Sequence, residues 1–512
     1  MQSRLSPPVE FALDDDVTVD DVVAALVDRF DVETSPATPY DRVYLDSFDR
    51  RLARRGASAE RQREGTICVH DDGHLVGRVT TSGPRGDRVF ATDLPEGAVR
   101  DRLAVLLKER ALLPQVRVRS HHTAMTVRND DDKTVVRVRF DAPAILRRGQ
   151  PARPLAARLS VVPVLGYRDA FTTVTDLITA MRGVVTAPSS LAAEAMGAPP
   201  VAPSFPAIER STRAHDAMVV LCRHLADTIE ANLGGTLADL DTEFLHDLRV
   251  AVRRTRSVLR EMRAVLPGPV RERARSDLRW IQQITGPTRD LDVQLLNWPD
   301  AIAELAPQAA ADLEPLHALL QHKRLQAFRL MRRHLRGAHY ADAWAAWRKV
   351  LAAPESTGVP GPDAGRPIGD VAGRRVGAVY RQMVKAGMVI DDRTPPEALH
   401  ELRKRGKELR YLLELFGPAW PGRDVRTMVS TVKELQDVLG RFQDCQVESQ
   451  FLRSLGPELA RGPGGADALI ALGLHLDRLS AEQHRAREAF SATFRSFAAR
   501  DHRRMVNKTF AP

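Results

Sequence analysis

The stretch from His246 to Arg256 reads HDLRVAVRRTR and places four protonatable side chains, His246, Arg249, Arg253 and Arg256, at helical spacing. At about 100° per residue these side chains fall within an arc of about 80°, along about 15 Å of helix axis. A neighbouring apolar stripe predicts a face that packs on a core; its members are Leu245, Leu248, Val252, Leu259, Met262 and Leu266. Because like charges one turn apart repel, we expect an anion to bind along this helix.

The same pattern returns 154 positions downstream, where the basic residues are His400, Arg403, Lys407 and Arg410. A second set keeps this offset: Arg279, Gln282, Gly286, Asp290 and Val293 match Lys433, Gln436, Gly440, Asp444 and Val447. A constant offset over two successive helices indicates an internal duplication. We therefore predict two similar halves related by approximate two-fold symmetry.

Length and charge restrict the organisation of the chain. With 512 residues it is too long for a single core, so several domains are expected. Residues 1–200 contain 28 Lys and Arg against 28 Asp and Glu, so the net charge of +9 arises after position 200. That asymmetry favours an anionic partner for the second part of the chain.

The cysteines and the hydropathy pattern address the compartment. Cys68, Cys222 and Cys445 are spaced for neither a disulfide framework nor a zinc site, which suits a reducing cytoplasm. We find no run of 18 apolar residues and no secretory leader, so we expect neither secretion nor a membrane partner. A cytoplasmic protein is the resulting expectation.

Residues 1–182 are predicted to mix α and β structure. Val9 to Leu13 is a candidate strand, and a helix should begin at Thr18. Alternating valines and arginines around the turn at Asn129 to Asp132 predict a β-hairpin. The hairpin arginines could line a tunnel, or they could form the solvent-facing side of half-buried strands.

This first part resembles the CYTH family through the motif Tyr44-Leu45-Asp46-Ser47-Phe48-Asp49, followed by Leu52 and Gly56. The resemblance implies an antiparallel β barrel that handles triphosphates. The strand expected to bind metal retains only Glu10 as an acid, and the late strand Leu159 to Leu165 has none. A two-metal triphosphatase needs several inward oxygen ligands. We therefore predict no catalytic residue, metal or cofactor; an active triphosphatase or nucleotide cyclase is the alternative.

The rest of the chain is predicted to be helical. An Ala/Pro-rich linker is expected at residues 183–208, followed by an all-α bundle at residues 209–505. A second Gly/Pro stretch at about 352–369 separates repeats at about 209–351 and 370–505. The fold class is thus α+β, with a CYTH-like barrel followed by a duplicated helical bundle.

Residues 209–505 resemble the CHAD family, the conserved histidine α-helical domain. The resemblance rests on both basic stripes and on Gly286-Pro-Thr-Arg-Asp290-Leu-Asp292 and Gly440-Arg-Phe-Gln-Asp444. It implies two four-helix bundles around a basic channel that binds inorganic polyphosphate. A rigid row of guanidinium and ammonium groups suits a linear polyanion, because arginine supplies bidentate contacts and lysine a mobile charge.

The predicted polyphosphate-binding residues are the cations of both stripes and of the helices that follow them: His246, Arg249, Arg253, Arg256, Arg279, His400, Arg403, Lys404, Lys407, Arg410 and Lys433. Asp290 and Asp444 could orient these side chains or form plain structural ion pairs. Val250 in the first half corresponds to Lys404, so the two halves need not bind equally.

Three other interpretations compete with this site. The stripes could be solvated faces paired with carboxylates of neighbouring helices. Neither His246 nor His400 has a second metal-binding residue three or four positions later, which argues against a metal site. Nucleic acid is the rival partner, but single strands bind on stacked aromatic residues, and aromatic residues make up only 5% of the chain.

Overall fold

The computed structural model describes residues 7–62, 64–80, 88–198, 205–353, 360–391, 393–420 and 422–510. The chain divides into two compact units, Met1–Ala202 and Pro203–Pro512. The first is built around a β-sheet and the second is helical, which confirms the predicted α+β class.

The first unit contains an antiparallel sheet and four helices. Its strands are β1 (Val9–Leu13), β2 (Asp31–Thr34), β3 (Thr38–Asp46), β4 (Ala57–Gln62), β5 (Thr66–Asp71), β6 (His74–Thr80), β7 (Leu113–Arg128), β8 (Thr134–Leu146), β9 (Arg153–Pro154), β10 (Arg158–Pro163) and β11 (Val184–Thr186). Its helices are α1 (Val19–Leu26), α2 (Ala98–Leu107), α3 (Arg168–Thr179) and α4 (Leu191–Met196).

The sheet is open, so the predicted closed barrel is wrong. Its strand order is β11-β1-β10-β8-β7-β3-β4-β5-β6, with β2 and β9 paired to β7 and β8, and the end strands do not pair within the described residues. The sheet can stay open because helices cover the apolar surface that a closed barrel would otherwise bury. Helices α1 and α3 pack on Phe11 and Val161 at one end of the sheet, and α2 packs on Leu45 and Ile67 towards the other.

The predicted hairpin is present as β7 and β8, with Val127 opposite Val136. Its arginines face solvent: Arg117 and Arg119 are half exposed and form ion pairs with Asp41. The solvent-facing interpretation of these arginines is therefore correct, and the tunnel interpretation is not. The alternation places valines on the covered face of the sheet and arginines on the other.

The segment predicted as a linker is partly folded. Strand β11 pairs with β1, and α4 begins after Ser190, whose hydroxyl accepts a hydrogen bond from the backbone N–H of Ala193 (3.2 Å). Pairing with β1 gives these residues backbone partners despite their Ala/Pro-rich composition. Residues 199–204 of the predicted linker, and residues 354–359 of the second Gly/Pro stretch, lie outside the described residues.

The second unit is built from helices of 6 to 37 residues. They are α5 (Ala214–Ala238), α6 (Thr242–Glu261), α7 (Gly268–Ile284), α8 (Gly286–Leu296), α9 (Trp298–Ala303), α10 (Pro307–Asp312), α11 (Glu314–Leu335), α12 (Ala338–Ala352), α13 (Ile368–Gly387), α14 (Pro396–Phe416), α15 (Arg423–Leu459), α16 (Gly465–Phe497) and α17 (Arg500–Thr509). None of the helices in the described part of the chain combines the length and apolarity needed to span a membrane.

The helices repeat at the offset that the sequence predicts. Adding 154 to the bounds of α5 and α6 reproduces the starts of α13 and α14, and α7 together with α8 corresponds to α15. The first repeat breaks at Gly286-Pro287, because proline has no N–H to continue the hydrogen bonds of α7. Arg441 occupies the matching position in α15, so that helix runs on.

The two repeats share one hydrophobic core. Leu248 and Val252 of α6 lie in the same cluster of buried residues as Leu402 and Leu409 of α14. The apolar stripe predicted beside the first basic stripe is buried throughout. This common core brings α6 and α14 together, and with them the two basic stripes.

Candidate anion-binding site

Contacts between α6 and α14 position the two basic stripes. The guanidinium of Arg253 lies over the ring of Tyr411, 5.9 Å from its centre. Arg254 donates a hydrogen bond to the Glu414 carboxylate across the same helix pair (3.1 Å). A cation over an aromatic face and an ion pair therefore fix the helices beside their basic surface.

A cavity of about 290 Å³ lies between α6, α7 and α14, and we call it the central cavity. Among the described residues that line it, seven are Lys or Arg and none is Asp or Glu. Its wall consists of Arg253, Arg256, Ser257, Arg260, Arg275, Arg279, Lys404, Lys407 and Tyr411. Cations from both repeats thus meet at one surface.

Several of these cations have no compensating partner. Arg253, Arg256, Arg279 and Lys407 form no hydrogen bond or ion pair within the described part of the chain, and Nε of Arg253 is buried without an acceptor. Burial and the charges of Arg279 and its neighbours lower the pKa of Arg256. These crowded cations therefore repel one another, and an anion would relieve the repulsion.

The pKa of Lys407 is lowered in the same way, and a lysine, unlike an arginine, can then lose its proton in an accessible pH range. Burial, and then the charges of Arg403 and Arg253, lower the pKa of its ammonium group to about 8. Its side chain is partly buried on the wall of the central cavity. A lysine with a lowered pKa in a basic cavity is a candidate for functional binding.

Arg249 is held by uncharged groups. Its guanidinium donates hydrogen bonds to the carbonyl of Gln282 (2.9 Å) and the hydroxyl of Thr285 (2.8 Å). Burial lowers the pKa of Arg249 to about 10, although the charge of Asp290 opposes the shift. Asp290 does not hydrogen-bond to Arg249 within the described residues, so it influences this arginine only through its charge.

The second repeat is arranged differently. Arg403 donates a hydrogen bond to the carboxylate of Asp444 (2.8 Å), so this aspartate does orient a predicted site residue. His400 Nδ1 lies 2.7 Å from the side-chain oxygen of Gln443. Asp444 and Gln443 both lie on α15, so this helix holds the basic side chains in the first two turns of α14.

Some predicted residues lie off the wall of the central cavity. Arg410 is about half exposed and donates to Glu414 (2.7 Å), so its charge is compensated. Lys433 is exposed on α15 and does not line the cavity. Lys404 does line it, although its ammonium group also pairs with Glu401 (2.7 Å).

His246 is half-buried near the start of α6. Burial and the charge of Arg289 lower the pKa of its imidazole below the ordinary value. Glu243 and Asp247 act in the opposite direction but do not outweigh them. His246 is therefore mainly neutral at neutral pH in the unliganded protein.

Two cations on this wall were not predicted from the sequence. Arg260 continues the first stripe four residues after Arg256, and Arg275 precedes Arg279 by four residues on α7. The same helical spacing that revealed the stripe would have identified them. The match between the repeats ends at Arg256, since Glu414 occupies the position that corresponds to Arg260.

The described residues contain no cluster of three or more His, Cys, Asp or Glu side chains arranged to hold a metal ion. Cys68, Cys222 and Cys445 are free and buried.

The model of the CHAD domain matches residues 221–453. These residues form a CHAD domain. The match includes every wall residue of the central cavity, all of which lie between positions 253 and 411. No curated protein matches the chain in sequence.

Two solved structures resemble the chain. One is the CHAD domain from the plant Ricinus communis, with 21% identity, a TM-score of 0.48, and coverage of 59% of this chain and 98% of that one. The other is PptA from Streptomyces chartreusis, with 18% identity, a TM-score of 0.44, and coverage of 56% of this chain and 100% of that one.

Outside the CHAD domain, the Asp46 motif of the first unit has a structural role. The Asp46 carboxylate is fully buried and accepts hydrogen bonds from the backbone N–H groups of Ser47 (2.7 Å), Leu52 (3.0 Å) and Ala53 (3.1 Å). These contacts shape the turn after β3 in the manner of a helix cap. The signature therefore fixes backbone geometry.

Other carboxylates of the first unit bind a buried arginine. Arg42 donates to Asp141 (2.7 Å) and lies 3.5 Å from Glu60, while Tyr40 donates to Glu60 (2.9 Å). Burial acts to raise the pKa of Asp141, but a hydrogen bond with His122 and the charge of Arg42 lower it to about 2. Asp141 is thus ionised and already paired.

Proposed function

We propose that this protein binds inorganic polyphosphate along the basic face of its CHAD domain, with the central cavity as the main site. The observation that carries the proposal is the composition of that wall: seven of its described residues are cations and none is Asp or Glu, and Arg253, Arg256, Arg279 and Lys407 form no ion pair within the described residues. An anion there gains charge-assisted hydrogen bonds and relieves the repulsion between the side chains.

The arrangement of the cations favours a linear polymer. They recur at intervals of three or four residues along α6, α7 and α14, so each helix presents its charges on successive turns. A polyphosphate chain carries charge at every unit and can contact successive turns. The proposed contacts are Arg253, Arg256, Arg279 and Lys407, with Arg249 and Arg403 adjacent.

Nucleic acid carries the same phosphate charge, but the cavity offers little else to it. Tyr411 is the only aromatic residue found on the described wall, and Arg253 lies over its ring. Proteins that bind single strands use exposed aromatic faces on which bases stack. This difference favours a polyanion without bases.

The test is a titration of the full chain with polyphosphate, duplex DNA and single-stranded RNA at equal phosphate concentration and about 0.15 M salt. We expect polyphosphate to bind at least about tenfold more tightly, and its affinity to fall steeply as salt increases. A variant carrying Arg256→Ala and Lys407→Ala should lose most of this affinity.

A matched control removes two arginines far from the cavity. Arg453 and Arg461 are exposed, do not line the cavity, and lie at least nine residues, about 14 Å of helix, beyond Asp444, the α15 residue that contacts Arg403. Arg453→Ala with Arg461→Ala should leave the affinity nearly unchanged. Equal affinity for DNA and polyphosphate, or equal losses in the two variants, would refute the proposal.

A further inference from the structure

A second and larger cavity, of about 670 Å³, lies beside the central cavity. It is formed by the end of α6, the start of α7 and the first half of α13. Arg260 and Arg275 line both cavities. The other residues of its wall are Glu261, Met262, Arg263, Ala264, Arg271, Asp363, Val371, Arg374, Arg375 and Ala378.

Two rows of arginine lead from the first cavity into the second. On α6 the row runs through Arg253, Arg256 and Arg260 and ends just beyond the helix at Arg263, at intervals of three or four residues. Such intervals keep side chains on one helix face over about 15 Å. On α7 the corresponding row is Arg279, Arg275 and Arg271. Basic side chains therefore continue from the first cavity into the second.

The second wall keeps an excess of positive charge. Six of its residues are arginines, against the two carboxylates of Glu261 and Asp363. Glu272 pairs with Arg271 and Arg275 from outside the wall, and its own side chain is largely exposed. Such exposed pairs contribute little and can be exchanged for a stronger anion.

Not every arginine here is available. Arg375 donates to Glu261 (2.6 Å) and to Glu408, and so joins the end of α6 to the middle of α14. The carboxylate of Glu261 is almost fully buried and also pairs with Arg260, so removing Arg375 would leave a buried charge with a single partner. By contrast, Arg263 is exposed with no ion pair within the described residues, and Arg374 lies 3.4 Å from Asp363.

We propose that the second cavity is an extension subsite, which binds the part of a linear polyphosphate chain that continues beyond the central cavity past Arg260 and Arg275. This inference rests on the proposed function and adds a dependence on chain length. A short chain fills the central cavity alone. A long chain also contacts Arg263, Arg271 and Arg374, and each added contact increases its affinity.

The test uses the full chain with the substitutions Arg263→Ala and Arg374→Ala, which leave the central cavity intact. The control is again Arg453→Ala with Arg461→Ala, which removes the same charge elsewhere. Affinities are measured for tripolyphosphate and for long-chain polyphosphate over a series of salt concentrations. Melting temperatures of all variants verify that each one is folded.

We expect the affinity of the Arg263/Arg374 variant for the long chain to fall about tenfold, while tripolyphosphate binds as it does to the parent. The slope of log affinity against log salt should decrease by about 1 to 2, because two phosphate contacts are lost. An unchanged long-chain affinity, or an equal loss for tripolyphosphate, would overturn the extension subsite. If the parent bound no polyphosphate of any length, the proposed function itself would fail.

Discussion

Arg249 and Arg403 occupy equivalent positions in the two repeats, yet Arg249 is held by a carbonyl and a hydroxyl whereas Arg403 is held by a carboxylate. The cause lies in the helix that follows each stripe. Thr285 supplies the hydroxyl in the first repeat, and the matching residue of the second repeat is Leu439, which has no polar group. The first half of the site therefore presents an uncompensated charge, and the second half a paired one.

We predict that Asp444→Asn strengthens polyphosphate binding. The carboxylate of Asp444 is largely exposed and competes with the ligand for Arg403, and pairs of this kind are worth about 0.2 to 1 kcal/mol. The affinity should therefore rise about two- to fivefold in a calorimetric titration. Asp437→Asn, an exposed aspartate on the same helix, controls for the change in net charge. A similar gain in both variants would mean that Asp444 acts only through long-range charge.

A second prediction separates cations that serve only the ligand from those that also serve the fold. Arg256→Ala should weaken polyphosphate binding by about 1.5 to 3 kcal/mol and leave the melting temperature equal or higher, because Arg256 is surrounded by other arginines. Arg249→Ala should lower both, because it also removes hydrogen bonds to Gln282 and Thr285. Thermal melts with binding titrations check this, and a large fall in melting temperature for Arg256→Ala would contradict it.

The third prediction concerns pH and Lys407. Its pKa is about 8 in the unliganded protein and should rise when an anion binds, so the affinity should fall as pH increases from about 8 towards 10. Lys407→Arg stays charged in this range and should flatten the profile. Lys404 is an exposed residue on the same wall, and Lys404→Arg should not flatten the profile. Identical profiles for all three proteins would show that Lys407 does not contact the ligand.

The lowered pKa of Lys407 also affects the stability of the unliganded protein. This stability changes with pH in the opposite direction to the affinity. The unfolded chain binds this proton up to about pH 10.4, whereas folded Lys407 releases it near pH 8. Its contribution to stability therefore increases with pH between these values. Removing the charge by Lys407→Met should stabilise the unliganded protein by about 1 kcal/mol while weakening polyphosphate binding.

His246 should act in a separate, lower pH window. Because His246 has a lowered pKa, it becomes charged only below its ordinary range unless a bound anion raises that pKa. We expect polyphosphate affinity to increase as pH falls from 8 to 6, and the substitution His246→Gln to flatten this increase. Binding isotherms at pH 8, 7 and 6 test it. If the slope stayed the same in the variant, His246 would not bind the anion as a cation.

Much of the helical unit could be predicted from sequence, because a constant offset fixes which helices correspond. The burial of Leu248 and Val252 followed from periodicity alone. Side-chain pairing did not follow: Arg410 turns to Glu414, and Asp444 reaches its arginine whereas Asp290 does not. Each of these pairings depends on a neighbouring side chain that either differs between the two repeats or belongs to another helix. The open sheet was missed for a similar reason, since no local pattern shows that helices cover its apolar face.

The last prediction is that the full chain releases no phosphate from tripolyphosphate or ATP with Mg²⁺ or Mn²⁺. A divalent ion in a catalytic site needs several free carboxylates. In the first unit Asp141 binds Arg42, Glu60 accepts from Tyr40, and Asp46 caps a turn. Recruiting any of them to a metal would leave a buried donor unpaired, at a cost of about 1 to 3 kcal/mol each.

Glu10 provides the control for this prediction. It is exposed on β1 and, within the described residues, takes no part in the hydrogen bonds that hold Asp141, Glu60 and Asp46. Phosphate release is measured for the parent and for Glu10→Gln with each metal. Background rates in both proteins are the expected result. Turnover in the parent that Glu10→Gln abolishes would instead identify the open sheet as a diverged active site.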